Sequence, residues 1–211
     1  MRWFLSAIVG AVAAFAFAAP AMASPITYTE VGTGSGTLDG TPFTNQLVTI
    51  TMTADTSNIT QPFPAFPGFF ENIVGTTTVS VSTVGTDTLT NAFAAVDQTF
   101  TNPTAAAGIG VSPLTPIAIM DTFNSAFATY ALGVIGPTSG SSFIVPGVPF
   151  ATGSGAFVLN SMGDTTFCGS TGASCSTVGT VPLPAALPLF ATGLAGLGLL
   201  GWRRKRKAAA G

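Results

Sequence analysis

Residues 46–55 read QLVTITMTAD, and their alternation decides the fold class. Val48, Ile50 and Met52 fall on one side of an extended chain, and Thr49, Thr51 and Thr53 on the other. A period of two is that of a half-buried strand. Threonine suits the outer face, because its branched β-carbon favours extended backbone while its hydroxyl stays in water. Residues 76–85, TTTVSVSTVG, repeat the pattern with Val79 and Val81 against Ser80 and Ser82.

Further candidate strands lie to either side: ITYTEVG (26–32), GTLDG running into TPFTNQL (36–47), DTLTNAFAAV (87–96), PIAIMDTF (116–123), ATYALGVIG (128–136) and GAFVLNSM (155–162). Each is bounded by Gly, Pro, Asn or Asp in turn-forming positions. Short strands with that punctuation predict an all-β body, an antiparallel sandwich or barrel and not a parallel α/β sheet, with a jelly-roll-like β-sandwich the preferred form. Helical signals are weak. NAFAAVDQTF (91–100) and DTFNSAFATYAL (121–132) can be read at helical spacing, with Asp121 as an N-cap, which leaves room for one short helix.

QPFPAFPGFF (61–70) reads as a loop, because each of its three prolines lacks an amide donor. Its phenylalanines, Phe63, Phe66, Phe69 and Phe70, either pin that loop to the core or form a partner surface. TNPTAAAGIGVSPLTP (101–116) reads as a connection, and STGASCSTVGT (170–180) as a linker. No internal repeat is evident.

Charge is scarce and unevenly placed. Only 7% of the 211 residues are charged, there is no histidine, and no Lys or Arg occurs between Trp3 and Trp202. The acids Glu30, Asp39, Asp55, Glu71, Asp87, Asp97, Asp121 and Asp164 all fall in that gap. Such a body forms no side-chain salt bridge, and it repels phosphate backbones, so nucleic acid is not an expected partner.

Met1-Arg2, an apolar run from Trp3 to Ala19, Pro20 and the triplet Ala21-Met22-Ala23 have the layout of a secretory signal peptide. Cleavage is expected between Ala23 and Ser24, with Ala21 and Ala23 as the small residues that signal peptidase needs. An N-terminal anchor is the competing reading, but the apolar run is short for a membrane span. Cys168 and Cys175 lie in a Gly/Ser-rich segment that can bend sharply, and an exported chain meets oxidising conditions. A local disulfide is expected, contributing at most about 2 kcal/mol because so short a loop has little entropy to lose. Two thiols without histidine do not complete a zinc site.

The end of the chain reads VPLPAALPLFATGLAGLGLLGWRRKRK (181–207). Val181 to Trp202 carries no charge, and as a helix its 22 residues would extend about 33 Å, close to the hydrocarbon thickness of a bilayer. Pro182, Pro184 and Pro188 fall in or before the first turn, where a missing amide costs little. Trp202 then belongs at the interface, and Arg203, Arg204, Lys205, Arg206 and Lys207 on the cytoplasmic side as a stop-transfer signal. Ala191 with Ala195, and Thr192 with Gly196, have the spacing of helix-packing pairs.

This layout closely resembles the PEP-CTERM sorting domain of exported bacterial proteins, over roughly residues 181–207. Pro182-Leu183-Pro184 stands where that family has Pro-Glu-Pro, and it looks like a variant form in which the acid is replaced. The resemblance implies recognition by an exosortase, a membrane transpeptidase-like enzyme, at the inner membrane of bacteria that make exopolysaccharide. Replacement of the acid leaves open whether the tail is removed or remains as a permanent single-span anchor. A Gram-positive sortase signal is excluded, since Leu183-Pro184 is followed by Ala185-Ala186-Leu187 and not by the required Thr-Gly. The resulting organisation is a signal peptide (1–23), a β-sandwich (24–167), a linker (168–180) and a sorting tail (181–211).

Without histidine or an internal lysine, a Ser-His-Asp triad is excluded. GTGSGTLDG (32–40) lacks the lysine of a phosphate loop and does not lead into a helix. Glu30 and Glu71 offer the two carboxylates of a glycosidase on paper only. Calcium is the one cofactor the side chains allow, through Asp39, Asp55, Asp87, Asp97, Asp121 and Asp164, but no EF-hand spacing occurs. The Asn58-Ile59-Thr60 triplet matches a glycosylation acceptor without further support.

The expectation is therefore a non-enzymatic, exported surface or matrix protein with no obligatory cofactor, in which exopolysaccharide is the partner that the resemblance implies. The alternatives are a carbohydrate-binding or adhesive module stacking sugars on Tyr28, Tyr130 or the Phe63–Phe70 loop, and a secreted hydrolase. Deleting residues 189–207 is expected to move the protein from the membrane fraction into the soluble periplasm. Fractionation followed by immunoblotting checks this, and a truncated form that stays with membranes refutes the anchoring role.

Overall fold

A computed structural model describes residues 24–100, 104–111, 117–172 and 175. The signal sequence with Ala21 and Ala23, and the tail with Pro182, Leu183, Pro184, Trp202 and the basic run Arg203 to Lys207, lie outside the described residues. Among those described, no helix is long and apolar enough to cross a membrane.

The body is all-β and antiparallel. Its strands are β1 (Pro25–Leu38), β2 (Thr41–Asp55), β3 (Ile59–Thr60), β4 (Phe69–Asn72), β5 (Gly75–Val81) and β6 (Gly85–Leu89). They are followed by β7 (Ala92–Asp97), β8 (Ala106–Val111), β9 (Ile117–Phe123), β10 (Ile135–Phe143), β11 (Pro149–Ala151) and β12 (Ala156–Ser170). All twelve pair into one sheet, in the order β3-β4-β7-β8-β9-β10-β12-β1-β2-β5-β6, with β11 beside β12. The separate layers expected of a sandwich are thus one hydrogen-bonded sheet that curls on itself.

Three long strands form its spine. β1 and β2 make a hairpin whose two-residue turn, Asp39-Gly40, has φ of 51° and 80°. Both central residues of a type I′ turn need positive φ, which Asp-Gly supplies at low cost. The stretch expected to be one strand over 36–47 is therefore the turn of this hairpin. On its other side β1 pairs along β12, from Thr27 opposite Ser170 to Leu38 opposite Phe157.

Strand β10 joins the two arms of the sheet. Its first part pairs with β12 up to Gly140 opposite Thr165, and its last three residues pair with β9, from Ser141 opposite Phe123. The other arm closes at its far edge, where Leu89 of β6 bridges to Thr152 just after β11 and the Thr90 amide donates to Ala151. β11, β12, β1, β2, β5 and β6 therefore form a ring at that end, which leaves little of the β6 edge open to a second chain.

The core lies between the inner faces. Val48, Ile50, Met52 and Val79 are wholly buried and Val81 nearly so, as their alternation predicts. They pack with Ile26, Phe157, Leu159 and Phe167 of the spine and with Ala94, Val96, Ala107 and Ile109 of the opposite arm.

Four sequence expectations are corrected here. AAGIGV (106–111) is strand β8, although its run of small and apolar residues has no alternation, because both of its faces are covered. NAFAAVDQTF contains β7 and no helix. ATYALGVIG is mostly irregular: a 3-10 helix over Ser125–Thr129 ends as it begins, and β10 starts at its end. Asn124 caps that helix by accepting from the Ala126 amide at 2.8 Å, whereas Asp121, expected as the cap, is a residue of β9.

Gly140 sits where β10 changes partner, and a β-carbon there would drive into the Phe123 carbonyl. Gly136 of the same strand faces open space. Gly140→Ala is expected to cost at least about 2 kcal/mol, in the overpacking range, and Gly136→Ala less than about 0.5 kcal/mol. Urea unfolding of both variants checks the difference.

Candidate functional site, an aromatic cleft

The outer face of the β4–β7–β8–β9 arm is not polar. Alternation places Phe69, Phe93, Ala95, Asp97, Ala106, Gly110, Asp121 and Phe123 on that face, and the register shift between Ile109 and Gly110 adds Ala118; with Phe100 and Phe143 they line a cleft of about 240 Å³. Its floor is flat because the central positions carry only hydrogen or methyl. Gly108 leaves space that the Asp121 carboxyl occupies. Phe100 and Phe143 are 43% exposed at the rim, and both pack on Phe123, with ring centroids 5.3 and 6.2 Å away.

A second hollow of about 220 Å³ adjoins the first, lined by Phe63, Phe66, Phe69 and Asp97. The proline-rich loop supplies it. Amides of Phe66 and Phe69 donate to the carbonyls of Phe63 and Phe66, and the rings of Phe63 and Phe69 meet at 5.6 Å. Phe66 is left 62% exposed, while Phe70 points inward and packs on the core. The loop is thus both pinned to the body and open as a surface.

The acids divide by role. Asp97 Oδ1 accepts from the amide and hydroxyl of Thr99, at 2.9 and 2.8 Å. Among the described residues no hydrogen-bond donor reaches the Asp121 carboxyl, which burial first, and the Asp97 charge second, push up to about 7. Glu30, on β1, is wholly buried behind the cleft floor. Its Oε2 accepts the Ile109 amide at 3.2 Å, and its Oε1 accepts the Thr122 hydroxyl at 3.0 Å. Thr122 meets the Thr165 hydroxyl at 2.7 Å, and Thr165 donates to the Asp121 carbonyl at 3.4 Å.

Burial, then the charge of Asp121, raise the Glu30 carboxyl well above the ordinary range, against the lowering effect of Thr122 and Ile109. Protonation lets Glu30 donate to Thr122, so that each hydroxyl in the chain to the Asp121 carbonyl both donates and accepts. The acid is then satisfied without a cation.

Expected site residues are placed as follows. Tyr28 is wholly buried, and its hydroxyl donates to the Leu132 carbonyl at 2.8 Å. Tyr130 is buried and donates to the Gly133 carbonyl at 2.8 Å. Neither tyrosine offers a ring to a sugar. Glu71 alternates onto the outer face of β4 while Glu30 is internal, so the two do not face a common bond. Asp39 and Asp87 approach each other at the ring closure. Asp39 accepts from Thr152 Oγ1 at 2.5 Å, and the Thr88 amide at 2.6 Å chiefly holds Asp87 below the usual carboxylate range.

Asp55 accepts the Ser57 amide at 2.8 Å, and Asp164 is exposed. Among the described residues no three metal-binding side chains converge. Cys168, the third residue from the end of β12, is joined to Cys175 as a disulfide with Cα atoms 6.2 Å apart. No family model, curated protein or solved structure matches the chain.

Raised carboxyls make stability fall as pH rises. The folded protein binds more protons than the unfolded chain between the ordinary carboxyl values and the higher folded ones, near 7 for Asp121. The melting temperature is therefore expected to drop between pH 5 and pH 8. Glu30→Gln keeps an acceptor for Ile109 and gains a donor for Thr122 without titrating. It is expected to narrow that drop by ~4 °C, equivalent to about 1–2 kcal/mol at this chain length. Calorimetry at the two pH values checks it.

Proposed function

We propose that this chain is an exported, non-enzymatic bacterial surface or matrix protein, sorted through its PEP-CTERM-like tail, whose body binds polysaccharide in the phenylalanine cleft. The tail brings it to the inner membrane and to an exosortase-type enzyme, and from there to the cell surface or medium. Its two arms serve as the layers of a jelly-roll-like sandwich joined through β10. The observation that carries the binding role is an apolar, ring-walled groove on the face of a sheet that water would otherwise cover. Groups of that kind, with a few polar atoms at fixed positions, are how proteins hold small rings. The sorting role rests on residues 181–207 alone, and the assignment of a surface role on that resemblance.

A pull-down of neutral and charged polysaccharides by the full chain in lipid nanodiscs, with and without calcium, tests this reading. Retention of at least one polymer is expected, and Phe66→Ala is expected to weaken it by about tenfold, or 1.4 kcal/mol. Undiminished retention by Phe66→Ala removes the cleft from the explanation. Shortening of the polymer on incubation, read by mass spectrometry, overturns the non-enzymatic part.

A further inference from the structure

The ligand's charge follows from what the body lacks. Between Trp3 and Trp202 there is no Lys, Arg or His, so nothing in the described protein neutralises the two carboxyls that line the cleft. Thr99 occupies one oxygen of Asp97, and no described donor occupies either oxygen of Asp121. An acid in an apolar cleft without a donor is unfavourable unless something else supplies the positive group.

The surrounding charge excludes one large class of polymers. Surface carboxylates with no cation among the described residues repel uronic, sulfated or phosphorylated chains. Shape narrows the class further. Ala95, Ala106, Gly110 and Ala118 leave a floor free of large side chains, against which the face of a ring can lie. Phe69 and Asp97 line both hollows, so the two share a wall and form one groove with rings on both sides of Asp97.

Resting on the reading of the cleft as a polysaccharide site, we propose that its ligand is a cationic amino-sugar polymer, with free ammonium groups at Asp97 and Asp121 and ring faces on the phenylalanines. Such a ligand supplies the donor that Asp121 lacks, and its approach is favoured by the field of the whole body. The raised Asp121 carboxyl accords with this, since a bound ammonium favours the ionised form that the empty cleft disfavours.

Calorimetric titration of the full chain in phosphatidylcholine nanodiscs, at pH 6, tests the proposal with four probes: a glucosamine hexamer, its fully N-acetylated counterpart, an oligo-uronate and a lysine hexapeptide. The glucosamine hexamer is expected to bind at least about tenfold tighter than the N-acetylated one, a difference of 1.4 kcal/mol. The oligo-uronate is expected not to bind. Raising salt from about 0.05 to about 0.5 M should weaken only the glucosamine hexamer. Asp97→Asn, at the more open position, and Asp121→Asn should each lower its affinity toward that of the N-acetylated form, and Asp97→Asn serves if Asp121→Asn does not fold.

Equal affinity for both hexamers overturns the ammonium recognition and leaves a glycan site standing. A lysine hexapeptide that binds as tightly as the glucosamine hexamer overturns it in favour of a basic protein partner. Failure of both hexamers and the oligo-uronate to bind overturns this proposal together with the polysaccharide reading.

Discussion

A body without a side-chain cation between Trp3 and Trp202 has only neutral donors to offer its carboxyls, and much of the structure answers to that constraint. Asp55 takes the Ser57 amide at a helix start, and Asp97 takes Thr99 at the end of β7. Asp87 takes the amides of Thr88 and Ser154, and Asp39 takes the Thr152 hydroxyl, so that these two acids tie the loop after β11 to the β1–β2 turn and to β6. In a protein with lysines these positions would be exposed pairs of small effect. Here each acid is a fixed acceptor that sets the path of a loop. Hydrogen bonds to ionised groups are also among the stronger ones available to a chain of this composition.

Glu30 meets the same constraint where no loop can help. It lies where β1 faces β8 and β9, and its two oxygens reach both strands of the opposite arm. The β8–β9 register shifts between Ile109 and Gly110, and the Ile109 amide at that irregularity turns to Glu30. An apolar residue at position 30 would leave that amide and the Thr122–Thr165 hydroxyls to find other partners inside the core, at a cost of about 1–3 kcal/mol for each failure. Kept neutral, the acid fixes the spacing of the two arms with directional bonds that aliphatic packing alone does not provide.

The sequence disclosed the strands that have one wet face and concealed those that do not. Val48, Ile50 and Met52 alternate with threonines because water covers the other side of β2. β8 is Ala-Ala-Gly-Ile-Gly-Val, and no period of two survives when the core covers one face and the cleft the other. β10 hides behind Gly136, Pro137 and Gly140, which read as breakers, yet the change of partner at Gly140 needs that missing β-carbon. The cleft was legible only at the Phe63–Phe70 loop. Phe93, Phe100, Phe123 and Phe143 come from separate strands and connections, and strand order alone brings them together. Burial of Tyr28 and Tyr130 was likewise beyond reach, since their carbonyl partners sit in the irregular segment at Leu132 and Gly133.

The same strand order explains why an open apolar cleft is tolerated on a protein of low charge. Large hydrophobic patches invite association, above all where strands end in free edges. In this body the cleft lies over β7, β8 and β9; β8 is paired along both sides, and β7 and β9 carry a second partner over part of their length. A second chain has rings to touch there and only short stretches of backbone to pair with. Asp97 adds like charge to any pair of clefts brought face to face, so self-association through this surface meets repulsion. The acids on this face therefore disfavour a second copy of the same face as its cover.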